Sequence, residues 1–222
     1  MAIRVWGRPT SICTQRVLWA ADEAGVETEL ILSSATMGAG GHVSSGAKPF
    51  GNVDEPWYRA MNPNGTLPTI DDDGVVLWES NAIVTYLAEA YAPRLLPSAD
   101  ARGRATALQW MSWTNEWLEP ALHNLVMHLV RLPEDERDPA AVTAGALEFH
   151  PGIEILEGCL ARQPWLGGDA FSIADIPAGA AVHRWRVFGL DRGEFPAVTG
   201  WQERLAGRPG FQDRVAPRAF HV

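Results

Sequence analysis

Residues Asn62 to Tyr91 read NPNGTLPTIDDDGVVLWESNAIVTYLAEAY, and this stretch decides the fold. Leu67 to Ile70 and Val75 to Trp78 are short apolar runs separated by Asp71, Asp72, Asp73 and Gly74. An Asp-Gly pair between such runs predicts a tight hairpin of two antiparallel strands. After Trp78 the period changes: Ile83, Tyr86, Leu87 and Tyr91 are spaced for one helical face, with Glu79 and Ser80 at the helix start. A helix N-terminus leaves backbone N–H groups unpaired and carries partial positive charge, so it favours a carboxylate. Ser80 adds a hydroxyl donor there and Glu79 can accept from an ammonium group. Together they suit the α-amino, α-carboxylate end of an amino acid, and the whole stretch suits a small anionic peptide.

Pro68 opens the first hairpin strand without an N–H of its own, which limits what pairs on that side. A cis bond between Leu67 and Pro68 would present the Leu67 backbone as a free strand edge, but cis bonds are a small minority before proline and spacing alone does not predict one. The order Asn-Pro-Asn-Gly-x-Leu-Pro, acidic hairpin, Trp-Glu-Ser-Asn-Ala-Ile and then Tyr-Leu resembles the glutathione-binding segment of the cytosolic glutathione transferases. The resemblance implies a cis Pro68, backbone pairing of Leu67 with the cysteinyl part of glutathione, and binding of the γ-glutamyl end by Glu79 and Ser80.

Working outward, Ile3 to Trp6 reads as a strand, Cys13 to Ala24 as a helix, Glu27 to Leu32 as a strand and Glu55 to Met61 as a short helix. With the hairpin and the Glu79 helix this is a βαβ unit followed by ββα. It resembles the thioredoxin-like half of the glutathione transferases. Ala92-Pro93 to Pro97-Ser98 reads as a linker, and the chain after Asp100 has helical periodicity with proline and glycine punctuation. The expected fold is therefore α/β plus all-α: a thioredoxin-like glutathione-binding domain over 1–90, a linker over 91–100 and an all-helical substrate-binding domain over 101–222. Phe171-Ser172-Ile173-Ala174-Asp175-Ile176 is a helix-initiating box, with Ser172 as N-cap, Asp175 three residues on and Phe171 and Ile176 at staple positions. Such a box recurs in the helical domain of the same family, which extends the resemblance across both halves; its role is structural.

Gly7 to Trp19 reads GRPTSICTQRVLW and puts Ser11 and Cys13 just ahead of an amphipathic helix. A free thiol has a pKa of about 8.5. A hydroxyl or thiol donor beside a helix N-terminus would stabilise a sulfur anion and lower that value. By themselves Ser11 also suits an ordinary N-cap and Cys13 a small buried hydrophobe. The family activates glutathione at this place. Counted back from Gly25, Ser11 falls where theta-type members carry their catalytic serine and Cys13 where beta-type members carry a cysteine. The pattern resembles bacterial theta-like or nu-like members with Gly-Arg-x-x-Ser-x-Asn, except that Cys13 replaces the asparagine. That replacement opens a second reading, in which Cys13 forms a mixed disulfide with glutathione and the protein acts as a disulfide reductase or deglutathionylase. A Cys-x-x-Cys dithiol is absent from the sequence.

The loop from Ser33 to Val53 is longer than the family pattern. Gly41 to Gly46 has phosphate-loop glycine spacing, but Ala47 precedes Lys48 and Pro49 follows, so a nucleotide site is rejected. By resemblance Lys48 or His42 meets the glycine carboxylate of glutathione; a solvated loop is the plainer alternative. The region from Ala101 to Leu132 reads as one long helix with Trp110, Trp113 and Trp117 spaced for one face. That face serves either as bundle core or, with Glu116, as the border of an apolar substrate pocket.

Composition bounds the rest. The chain has 222 residues, 46% of them hydrophobic, and a formal charge of −9, which disfavours nucleic acid or an anionic membrane as partner. No long apolar run or signal-peptide pattern appears, so a cytoplasmic protein is expected. Cys13 and Cys159 are too few for a disulfide scaffold, and His123 and His128, five apart, lie roughly 140° around a helix and do not pair on a metal. The resemblance implies a homodimer, glutathione as cosubstrate without a metal, and a detoxifying transfer in which the glutathione thiolate attacks an apolar electrophile. A catalytically silent binding protein, and a glutathione-using isomerase, lyase or dehalogenase, are alternatives that the sequence does not separate.

Overall fold

The computed structural model describes residues 2–34, 43–44, 48–49, 52–190 and 193–218. Two compact units are formed, one by Met1–Pro93 with Gly210–Val222 and the other by Arg94–Pro209.

In the first unit β1 (Ile3–Gly7), β2 (Thr28–Leu32), β5 (Thr69–Asp72) and β6 (Val75–Trp78) form a sheet in the order β2-β1-β5-β6. β1 pairs in parallel with β2, and β5 is antiparallel to both β1 and β6. The parallel pair needs a crossover, supplied by α1 (Ile12–Ala24). Gly25 ends that helix at φ +73°, and its N–H bonds the Ala21 and Asp22 carbonyls, a left-handed cap that glycine adopts without steric cost. The hairpin turns through Asp73 (φ +50°) and Gly74 (φ +92°). Two successive positive φ values match the twist of the strands they join, as the Asp-Gly signal predicts. Each expected element of this unit is present, although β5 starts at Thr69, two residues after Leu67.

Alternation along β1 sorts its side chains: Ile3 and Val5 are buried on one face, while Trp6 on the other packs with Val53, Tyr58 and the half-buried Ile31, Met61 and Leu67. Tyr58 comes from α2 (Pro56–Met61), and α3 (Ser80–Tyr91) packs against α1. Between β2 and α2 the described pieces are β3 (Val43–Ser44) and β4 (Lys48–Pro49), an antiparallel pair. His42 lies outside the described residues, and so does the side chain of Lys48.

The second unit is helical. The expected single helix over 101–132 is α4 (Ala101–Trp113), a π-turn at Thr114–Leu118, α5 (Glu119–Val126) and a second π-turn at Met127–Arg131. Each π-turn inserts an extra residue and rotates the face that follows. The shared tryptophan stripe is thereby broken: Thr114 and Leu118 are buried, Trp113 is half-buried and Trp117 is 67% exposed. α6 (Pro139–Leu160), α7 (Asp175–Val187) and α8 (Pro196–Ala206) complete the unit. Asp175 accepts from the Ser172 N–H at 3.0 Å and the Ser172 hydroxyl accepts from the Ala174 N–H at 3.3 Å, so the initiating box is formed, with the regular helix starting at its last residue. Asp175 also accepts from the Leu166 N–H (2.9 Å) and the Trp201 indole (3.0 Å).

Candidate functional site

One row of the sheet register brings the sequence candidates of the first unit together. Trp6 of β1 faces Thr69 of β5, and Thr69 faces Trp78 of β6. Leaving the sheet at that row are the Gly7 to Ser11 loop after β1, the Leu67-Pro68 bond before β5, and Glu79-Ser80 after β6. Neighbouring strands lie about 4.8 Å apart, so the row spans roughly 10 Å. Three residues of extended chain reach about the same length at ~3.4 Å each.

Ser11 is the N-cap of α1; its hydroxyl accepts from the Thr14 N–H at 3.4 Å, which leaves the hydroxyl hydrogen available to donate. Cys13 follows as the second residue of the helix and is half-buried. Ahead of them the loop is held by Gln15, whose amide donates to the Pro9 carbonyl at 2.8 Å, and by close packing of Gly7 on Thr14, where a Cβ would lie 2.5 Å from the threonine methyl. Any larger residue at 7 would force the Thr14 side chain or the loop to shift.

The Leu67-Pro68 peptide is cis. Among the described residues the Leu67 backbone makes no hydrogen bond, consistent with a free edge. Beside it a network that sequence reading missed joins the buried Asn62, Thr69 and Tyr58 to the carbonyl of the exposed Thr66. The Tyr58 hydroxyl lies 2.7 Å from the Thr66 carbonyl and 2.8 Å from the Thr69 hydroxyl; the Asn62 amide donates to the same two groups at 3.0 and 3.1 Å. Burial raises the Tyr58 pKa, while hydrogen bonds to Thr69 and Asn62 lower it, and burial prevails. The only trace of this network in the sequence is the polar Asn62 beside an apolar helix end, which turn chemistry explains equally well.

Glu79 is exposed, at φ +70° and ψ 110°, a region rarely visited by residues with a side chain and costing about 1–3 kcal/mol. Its carboxylate caps no N–H of α3. Ser80 opens the helix and is 6% exposed, and the first intrahelical bond is Ile83 N–H to the Glu79 carbonyl at 3.0 Å. The N–H groups of Ser80 and Ala82 thus precede any helical partner. A strained acidic residue over an open helix start offers an acceptor for an ammonium beside donors for a carboxylate.

Trp113, Glu116 and Trp117 belong to the helical unit, where Trp113 stacks edge-on with Trp110 at 5.3 Å between ring centres. A cavity of about 350 Å³ in that unit is lined by Ile153, Trp185, Phe195 and Val198 among others and includes none of the candidates. His128 accepts from the Asp138 N–H through Nδ1. No group of three or more metal-ligating side chains occurs among the described residues, and no described helix is long and apolar enough to cross a membrane.

Comparison with known proteins is consistent with this geometry. Residues 10–90 match the family model "Glutathione S-transferase, N-terminal domain" and residues 139–204 the corresponding C-terminal domain. Glutathione S-transferase GstB of Escherichia coli (strain K12) is 34% identical over 96% of this chain and 97% of its own. Disulfide-bond oxidoreductase YfcG of the same organism is 34% identical over 72% of this chain and 75% of its own. A theta class glutathione S-transferase from Xanthomonas axonopodis pv. citri, solved with glutathione bound, superposes with a TM-score of 0.86 at 40% identity, covering 98% of this chain and 99% of that one. The chain therefore belongs to the glutathione S-transferase family, as the Leu67-Pro68 and Glu79-Ser80 motifs led one to expect.

Proposed function

We propose that this enzyme binds glutathione at the sheet end defined by Trp6, Thr69 and Trp78, and activates its thiol for attack on an apolar electrophile. The observation that carries the reading is the convergence, in one register row, of a hydroxyl-capped helix, a free Leu67-Pro68 edge and an uncapped helix start. The residues present fit the tripeptide. Ser80 and the first α3 N–H groups receive the γ-glutamyl carboxylate, Glu79 its ammonium, and the Leu67 backbone the cysteinyl unit. Lys48 or His42 meets the glycine carboxylate.

Ser11 is assigned to the sulfur. Its hydroxyl lies over the end of α1, donates to the sulfur, and shares the favourable helix-end field, so the thiol ionises more readily and the thiolate forms its bond to the electrophilic carbon as the leaving group departs. The helical unit contributes Trp113, Glu116 and Trp117 to recognition of the second substrate. The working protein is a cytoplasmic homodimer engaged in detoxification.

A second reading, disulfide exchange through Cys13, is favoured by the half-buried thiol in the first turn of α1 and by similarity to the disulfide-bond oxidoreductase. The two readings separate by experiment. Titration with glutathione, followed by thiolate absorbance, should show ionisation near neutral pH that Ser11→Ala removes and Cys13→Ala retains. Loss of turnover in Cys13→Ala alone, with a glutathione adduct on Cys13 by mass spectrometry, assigns the exchange chemistry instead.

A further inference from the structure

We infer that Tyr58 and Asn62 are positioning residues that aim the Leu67 N–H at a peptide carbonyl of the bound ligand; this rests on the glutathione reading and adds to it a device for the cysteinyl carbonyl. Proton counting assigns the network. The Thr66 carbonyl only accepts, so at 2.7 Å the Tyr58 hydroxyl gives it its single hydrogen. The Thr69 hydroxyl, 2.8 Å away, then donates to the Tyr58 oxygen. The two Asn62 amide hydrogens go to the Thr66 carbonyl at 3.0 Å and the Thr69 oxygen at 3.1 Å. The Asn62 carbonyl accepts from the Asn64 N–H at 3.1 Å. Every donor is used, both lone pairs of the Thr66 carbonyl are filled, and Tyr58, Asn62 and Thr69 are fully buried.

That carbonyl belongs to the Thr66–Leu67 peptide, which is trans. Across a trans peptide the N–H points opposite to the C=O. Two buried donors that pull the carbonyl inward therefore turn the Leu67 N–H outward, where it makes no hydrogen bond among the described residues. The half-buried Leu67 side chain packs against the cluster of Trp6, Val53 and Tyr58, which opposes rotation of the residue. Tyr58 acts twice, as a member of the cluster that Leu67 packs against and through its hydroxyl on the preceding carbonyl.

Tyr58→Phe keeps the ring and deletes only the hydroxyl. Its affinity for glutathione, by titration calorimetry, should fall about tenfold, the effect of one well-placed hydrogen bond. An analogue with the cysteinyl carbonyl reduced to methylene should bind Tyr58→Phe and the parent protein within twofold of one another. KM for glutathione should rise about tenfold, with a far smaller change in kcat. Thr69→Val should repeat this pattern and Thr69→Ser retain parental values, which covers the case of a Tyr58 variant that fails to fold. Equal losses for glutathione and the reduced analogue, or a lower melting temperature with unchanged glutathione affinity, overturn the inference and leave the network a purely structural role. No binding of glutathione by the parent protein overturns the functional reading, and this inference with it.

Discussion

Ser80 and Ser11 are both helix-start serines, yet they are assigned different tasks because different groups surround them. Ser80 is buried at an open helix start beside a strained Glu79, so its hydroxyl is available to an anion. Ser80→Ala should weaken glutathione binding by roughly 1.5–3 kcal/mol, the range for a hydrogen bond to a charged group, as measured by calorimetry. Ser11 has one lone pair committed to Thr14 and its hydrogen available, which suits a sulfur anion. Ser11→Ala should leave glutathione affinity within a few-fold while lowering kcat about 10²-fold, as removal of one transition-state donor does elsewhere. A drop in affinity with kcat preserved would reverse the two roles. At this scale the sequence was informative about identity but silent about geometry. Glu79 and Ser80 could be named from helix-start chemistry, whereas the positive φ of Glu79 depends on how β6 runs into α3. Tyr58, Asn62 and Thr69 were invisible as a network because residues 58, 62 and 69 meet only when α2 folds against the start of β5.

Among the elements, the helical unit relies on acidic side chains that satisfy helix starts from a distance. Glu157 of α6 accepts from the Ala197 and Val198 N–H groups at 3.0 and 2.9 Å, so it caps α8 from about forty residues away in sequence. Glu157→Ala should destabilise the protein by about 1–2 kcal/mol in chemical denaturation, as loss of a local N-cap does. Asp175 serves the start of α7 with four donors around one buried carboxylate. Burial nevertheless prevails over those hydrogen bonds and raises its pKa from 3.8 to about 6. With the folded value above the unfolded one, folding takes up a proton between them. Stability contributed by this group is therefore full below about pH 4, declines at up to about 1.4 kcal/mol per pH unit as pH rises towards 6, and levels off beyond. Denaturation midpoints followed from pH 4 to pH 8 should show that decline, and Asp175→Asn should abolish its slope. Because an amide nitrogen on either side of the group then faces at least one backbone or indole N–H that only donates, Asp175→Asn should also cost about 2–4 kcal/mol. The Ser-x-x-Asp box was legible in the sequence since its partners are three residues apart. The Glu157 cap was not, because no local pattern couples residue 157 to residue 197.

For the whole molecule, the chain does not simply run from one unit to the next. Its described C-terminal helix, α9 (Pro209–Arg214), packs on α1: Phe211 meets Trp19 edge-on at 5.2 Å, and Arg214 pairs with both Asp22 oxygens at 2.7 and 2.9 Å. Asp22 raises the pKa of Arg214 through this bond, and burial opposes it. Phe211→Ala should cost about 3–5 kcal/mol, as truncation of a buried aromatic does, and should increase hydrogen exchange in α1, the helix that bears Ser11. Arg214→Ala should cost about 1 kcal/mol or less, since the pair is partly solvated. Unchanged exchange in α1 on Phe211→Ala would show that the helix start is held independently of the C-terminus. The sequence by itself determined the alternation of strands and helices in the first unit, the Asp-Gly hairpin, the Ser172 to Asp175 box and, through Leu67-Pro68 and Glu79-Ser80, the family. Each of these is written in residues close together, where periodicity, turn chemistry and capping act. Only the tertiary structure decided that the three loops share one register row, that a π-turn starts between Trp113 and Trp117, that three buried polar side chains orient the Leu67 peptide, and that α9 returns to α1. Those outcomes depend on which distant surfaces can be buried together, and a linear pattern carries no record of that choice.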